Sequence, residues 1–132
     1  MHFLTAALLL PVIFWLPGCK ASAAGKTPSL STMHLEDFVV NLADHDGRTY
    51  LRVGIDLGIE GDAPKAKSDQ HTAILPVIRD SVITLLSAQK ADDVLTADGK
   101  TKLKQDLIKT LNDHVPELKV RKIYFNDFMV QR

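Results

Sequence analysis

From Leu51 to Ile59 every odd position is apolar (Leu51, Val53, Ile55, Leu57 and Ile59). The even positions hold Arg52, Gly54, Asp56, Gly58 and Glu60. A period of two over this length predicts a β-strand with one buried face and one wet face. Such a strand belongs in an antiparallel sheet, because strands of parallel sheets are buried on both sides and read as continuous apolar runs. Its apolar face then needs a second layer to cover it. Gly54 and Gly58 weaken an isolated strand, so they mark a bend or the close approach of a neighbour.

The flanking sequence supplies the rest of that fold. Leu35 to Leu42 reads as another strand, with Phe38, Val40 and Leu42 on one face. Asp44-His45-Asp46-Gly47 between the two is a turn signal. Gly61 to Ser68 reads as a polar loop, and from Asp69 onward Ile74, Leu75, Ile78, Val82, Leu85 and Leu86 recur at helical spacing. Pro76 falls inside that pattern and is expected to kink the helix or start a new one. The polar run Ser87 to Asp93 ends it. Thr96 is a candidate N-cap for a second helix, with Asp98 in its first turn and Leu103, Leu107, Ile108 and Leu111 as its apolar stripe. Pro116 closes it. Val120 to Gln131 is a last strand, in which a bulge at Asn126-Asp127 would bring Ile123, Phe125, Phe128 and Val130 onto one face. The expected architecture is α+β: a small, mostly antiparallel sheet in the order strand, strand, helix, helix, strand, with the helices on one face.

Sixteen basic and sixteen acidic residues balance, and all of them lie beyond Gly18. A net charge of zero speaks against nucleic acid as the partner, since phosphate binding wants a basic face. Residues 1–18 form an apolar leader, which reads as a signal peptide or short membrane anchor. Its core, Phe3 to Leu16, is too short as a helix to span a hydrocarbon layer about 30 Å thick. The leader ends Leu16-Pro17-Gly18-Cys19, which resembles the lipobox of bacterial lipoproteins and makes Cys19 the candidate lipidation site. Residues 19–33, rich in Ala, Ser, Gly and Thr, read as a flexible tether, and 34–132 as the folded domain.

The residue patterns of catalysis and metal binding are missing. His2, His34, His45, His71 and His114 include no pair at a spacing of three or four, so there is no helical metal pair. Asp44-His45-Asp46 reads as a solvated turn rather than a metal cluster. No Gly-x-Ser-x-Gly occurs, and Gly99-Lys100 lacks the companions of a phosphate-binding loop. A single cysteine excludes an internal disulfide. The chain therefore reads as an interaction module, with no cofactor and no catalytic residues. A deep pocket joining His71 or His114 to a carboxylate would reopen the enzymatic reading.

Several stretches together resemble one family. They are Leu35-Glu36-Asp37-Phe38-Val39-Val40-Asn41-Leu42-Ala43-Asp44; Tyr50-Leu51-Arg52-Val53; Leu75-Pro76-Val77-Ile78-Arg79-Asp80-Ser81-Val82-Ile83; Gly99-Lys100; and the closing run from Val120 to Gln131. In that order they resemble the periplasmic part of the FliL family, the flagellar basal body-associated proteins. The resemblance implies a stomatin-like (SPFH) domain that is not an enzyme. It also implies a protein that self-associates, sits at the inner membrane and supports the stator of the flagellar motor in swimming and swarming. The alternative is an envelope lipoprotein that uses the same domain as a binding or assembly module away from the motor; an outer-membrane location is compatible with Lys20 following Cys19. Candidate assembly residues are Arg79 and Asp80 on the helix carrying the motif, and Arg52, Asp56 and Glu60 on the wet face of the strand, where charge pairs between subunits would set register.

Overall fold

The computed structural model describes residues 28–65 and 68–132. Cys19 and the leader lie outside them. The elements run β1 (Leu30–His34), β2 (Phe38–Asn41), β3 (Tyr50–Glu60), α1 (Asp69–Ser87), α2 (Ala91–Leu95), α3 (Ala97–His114), a single 3-10 turn (Pro116–Leu118) and β4 (Val120–Gln131). This is the expected α+β arrangement, with two additions, β1 and α2.

The alternating strand is the centre of the sheet. β4 pairs antiparallel with β3 along nearly its whole length, from Tyr50 opposite Gln131 to Ile59 opposite Val120. The other edge of β3 is shared. β2 takes its first half, Phe38 opposite Val53 to Asn41 opposite Tyr50, and β1 its second, Leu30 opposite Glu60 to His34 opposite Asp56. Between β1 and β2 the Leu35 amide donates to the Ile55 carbonyl at 3.0 Å, so the edge is bent there but not abandoned. That bend buries the Leu35 side chain, which is why the strand expected to run from Leu35 begins at Phe38. β1 itself begins at Leu30, inside the stretch whose composition suggested a tether.

The odd positions of β3 are all buried, and they meet Ile74, Ile78, Val82 and Leu86 of α1 and Leu103, Leu107 and Leu111 of α3 in one core. Both helices start on the caps their sequences offer. The Ser68 hydroxyl accepts from the His71 amide at 3.1 Å, and the Thr96 hydroxyl from the Gly99 amide at 2.9 Å. α1 runs unbroken through Pro76. The proline is exposed, so the carbonyl it leaves unpaired one turn back does not end the helix. α2 carries no side-chain cap of its own. Instead the Asp44 carboxylate, from the turn after β2, accepts from the Ala91 amide at 3.1 Å, and the Ala43 amide donates to the Gln89 carbonyl at 2.8 Å. A helix of five residues capped from a distant turn leaves no local signal in the sequence.

β4 contains the bulge its sequence predicts. Gly54 faces Asp127 and Ile55 faces Phe125, which leaves Asn126 unpaired and turns Ile123, Phe125, Phe128 and Val130 toward the core. A second irregularity, Gly58 opposite Lys122 and Ile59 opposite Val120, sets Arg121 out of the ladder.

Candidate functional site

Among the described residues the helices pack on one face of the sheet, and the opposite face is open. Of the large apolar side chains exposed on the molecule, Leu30, Val39, Tyr124 and Met129 belong to this face. The glycines of β3 are explained here. A Cβ at Gly58 would lie 3.0 Å from Lys122 Cβ and 3.2 Å from Tyr124 Cε2, so the tyrosine ring leans over the gap. At Gly54 the corresponding atom is Asp37 Oδ1, at 3.1 Å. The even face is thus partly covered by side chains of β4 and of the β1–β2 connection.

Apart from Lys122, the charges of β3 and its neighbours on this face pair within the chain. Arg52 Nη2 donates to Asp37 Oδ2 at 3.0 Å, and its Nε lies 3.4 Å from Asp127 Oδ2. The hydrogen bond to Asp37, then the charges of Asp37 and Asp127, push the guanidinium pKa up. Arg121 holds Glu60 through Nε at 2.7 Å and Nη2 at 2.6 Å. His34 Nδ1 lies 2.6 Å from Asp56 Oδ1. Partial burial pushes the Asp56 carboxyl up, but hydrogen bonds from Asn126 and His34 and the charge of His34 together outweigh it and hold the group below the usual aspartate value.

Asp56 carries a pH signature. A carboxyl held low by folding contributes stability above its unfolded pKa and loses it as pH falls through the folded value. Asp56→Asn is expected to lower stability by about 1 kcal/mol at pH 7, the usual size of one such hydrogen-bonded site. Its difference from the parent should fade in acid, where the parent's carboxyl is protonated too. Urea unfolding at neutral and acidic pH checks this; a difference that stays constant with pH would remove Asp56 as the cause.

Arg79 and Asp80 lie on the other layer. Arg79 Nη1 is 3.4 Å from Glu36 Oε2, and its guanidinium sits over the Phe38 ring at 4.8 Å from the centroid. Asp80 borders a shallow groove between α1 and α3, about 330 Å³, lined also by Ser81, Thr84, Leu85, Thr110 and His114. The five candidate residues therefore occupy two surfaces: Arg52, Asp56 and Glu60 on the open sheet face, Arg79 and Asp80 on the helical layer.

The groove is lined by a histidine, a serine and a carboxylate, the residue types of nucleophilic catalysis. Ser81 Oγ donates its only proton to the Val77 carbonyl at 2.8 Å, which makes His114 Nδ1, also at 2.8 Å, the donor toward it. A histidine donating to the hydroxyl is not positioned to deprotonate it. Ser81 also sits in the middle of α1, where backbone amides are spent on the helix and offer no oxyanion site. The contact ties α3 to α1. A larger cavity of about 530 Å³ beside α2 and α3 is lined by Asp92, Asp93 and Asp98 among others. Among the described residues no group of three or more His, Cys, Asp or Glu side chains is arranged to hold a metal ion. In the Asp44-His45-Asp46 turn, Asp44 caps α2 and Asp46 accepts from the Thr49 hydroxyl at 3.2 Å. No helix among the described residues is long and apolar enough to cross a membrane.

Residues 32–131 match the family model described as flagellar basal body-associated protein FliL. The chain is 31% identical over 106 residues to the flagellar protein FliL of Aquifex aeolicus strain VF5, a match covering 79% of this chain and 64% of that protein. It is 31% identical over 101 residues to the flagellar protein FliL of Bacillus subtilis strain 168, covering 76% of this chain and 68% of that one. The aligned part thus spans somewhat less than two thirds of the first relative.

Proposed function

The chain belongs to the FliL family of flagellar basal body-associated proteins, and from that premise we propose that it is a non-enzymatic accessory of the flagellar motor in the bacterial envelope. In this reading its domain lies in the periplasm, self-associates and braces the stator, while the N-terminus, lipidated at Cys19, holds it at the inner membrane. The stomatin-type likeness implied by the family belongs to the same reading. The observation that carries it is the extent of the match, which runs from within β1 to the last residue of β4 and so takes in the described sheet, its helical cover and the open face together. For self-association, the open face offers exposed apolar side chains among charges that, Lys122 apart, are paired within the chain, a composition suited to a largely neutral partner surface.

Deletion in the native host tests it. Filaments should still assemble, while swimming in viscous medium and swarming fall severalfold. The full chain should restore both, and a Cys19→Ala chain should restore them only in part. Normal motility under viscous load in the deleted strain would overturn the motor reading and favour an envelope assembly module acting elsewhere.

A further inference from the structure

The two edges of the sheet differ. The β1–β2 edge is made of two short pieces with a bend between them, a form that resists further strand pairing. β4 is twelve residues long, and among the described residues it has β3 as its one strand neighbour. Past Val120, whose two backbone groups Asn112 takes, and on either side of the bulge at Asn126, its outer edge offers backbone donors and acceptors to an incoming strand.

What flanks that edge is chemically specific. On the helical side, Lys100 Nζ sits 5.1 Å from the Phe128 ring centroid and Lys104 Nζ 5.0 Å from that of Phe125. The two rings are 5.2 Å apart and half-buried, brought together by the bulge at Asn126. Neither lysine forms a salt bridge among the described residues, and neither does Lys122 of β4. On the open side the same strand exposes Tyr124 and Met129. One turn of helix separates Lys100 from Lys104, a rise of about 6 Å. Alternate residues of an extended strand are about 6.8 Å apart, so two carboxylates at i and i+2 would meet the two ammonium groups.

We propose that the outer edge of β4 is a strand-addition site for an extended acidic segment of another protein, with acidic side chains facing Lys100 and Lys104 and apolar ones facing Tyr124 and Met129. Backbone pairing supplies the affinity, and the alternation of side chains supplies the choice of partner. The lysines also decide against the simplest competitor. Two copies of β4 pairing about a two-fold axis would set the lysines of both α3 helices on the same side of the joined sheet, like charge against like. The proposal rests on the reading of the chain as an interaction module and not on its place in the motor.

The test uses the full chain, isotope-labelled, and a short blocked peptide alternating glutamate and valine. The peptide should shift the β4 amide resonances and slow hydrogen exchange between Lys122 and Gln131. Binding should weaken about tenfold in the Lys100→Gln, Lys104→Gln double variant, the size expected for loss of two partly exposed ion pairs. Added salt should weaken it in the unsubstituted chain, which gives the same answer even where the double variant folds poorly. A fully N-methylated peptide with the same side chains and a lysine–valine peptide should not bind. The proposal is overturned by absence of binding at millimolar peptide, by equal binding of either control, or by shifts confined to the open face or to the α1–α3 groove. Motility defects leave it untouched: peptide capture with normal swimming keeps the site and removes only the motor reading.

Discussion

Replacing Gly99 by alanine is expected to destabilise the fold by about 3 kcal/mol, the upper part of the range for an overpacked site. Helix propensity alone predicts the opposite, a gain of up to about 1 kcal/mol for exchanging glycine in a helix. Geometry decides between them. A Cβ on Gly99 would lie 1.7 Å from the Asp93 carbonyl oxygen, 2.7 Å from its carbon and 2.8 Å from Thr96 Oγ1. The first two are backbone atoms, and no rotamer change moves them aside. They belong to Asp93, in the middle of α2, which packs against the first turn of α3, and Thr96 binds both sides of the junction. Its hydroxyl accepts from the Gly99 amide and donates to the Asp93 carbonyl at 3.0 Å. Alanine therefore has to push α2 off the helix it leads into, and the cap is lost with it. Urea titration should show a lower midpoint at unchanged slope. Wild-type or higher stability in Gly99→Ala would mean that α2 and α3 do not meet in this way.

That junction also marks where sequence reading stops. Thr96 as a cap, Leu103, Leu107 and Leu111 as a buried stripe, the odd positions of β3 and the bulge at Asn126 are all legible, because each is a rule about residues near one another in the chain. Asp44 capping α2 is not legible, since donor and acceptor are 47 positions apart. β1 was hidden by its composition: Leu30-Ser31-Thr32-Met33-His34 has little apolar alternation, and its strand is made by pairing with β3 rather than by propensity.

The candidate assembly charges illustrate the same limit. Arg52, Asp56 and Glu60 alternate along the wet face as the sequence says, but their partners His34 and Arg121 arrive from other strands and Asp37 from the β1–β2 connection. The open face is therefore less charged in effect than its sequence suggests. What remains for a partner is the apolar exposure of Val39 and Met129, which are 65% and 53% exposed. Arg79, half of the helical motif, binds Glu36 and the face of Phe38, a role in holding the β1–β2 connection that spacing alone could not reveal.

The second large effect lies at the start of β4. Asn112, near the end of α3, binds both backbone groups of Val120: its Nδ2 donates to the carbonyl and its Oδ1 accepts from the amide, each at 2.8 Å. One side-chain amide stands where a neighbouring strand would be, at a residue that is buried. The contact fixes where β4 begins, beside the irregularity at Arg121, and so sets the register of the strand that carries the lysine-flanked edge. Asn112→Ala leaves a buried donor and a buried acceptor without partners and should lower stability by about 2–4 kcal/mol. Asn112→Asp separates the two bonds. Its carboxylate still accepts from the Val120 amide but repels the carbonyl at neutral pH. In acid the protonated carboxyl can donate again. Its folded pKa is then raised, so the stabilising contact is present below the unfolded value and lost as pH rises through the folded one. The deficit of Asn112→Asp relative to the parent should shrink in acid, while that of Asn112→Ala stays constant. Parallel pH profiles for the two variants would mean that the amide does not hold the strand through both groups.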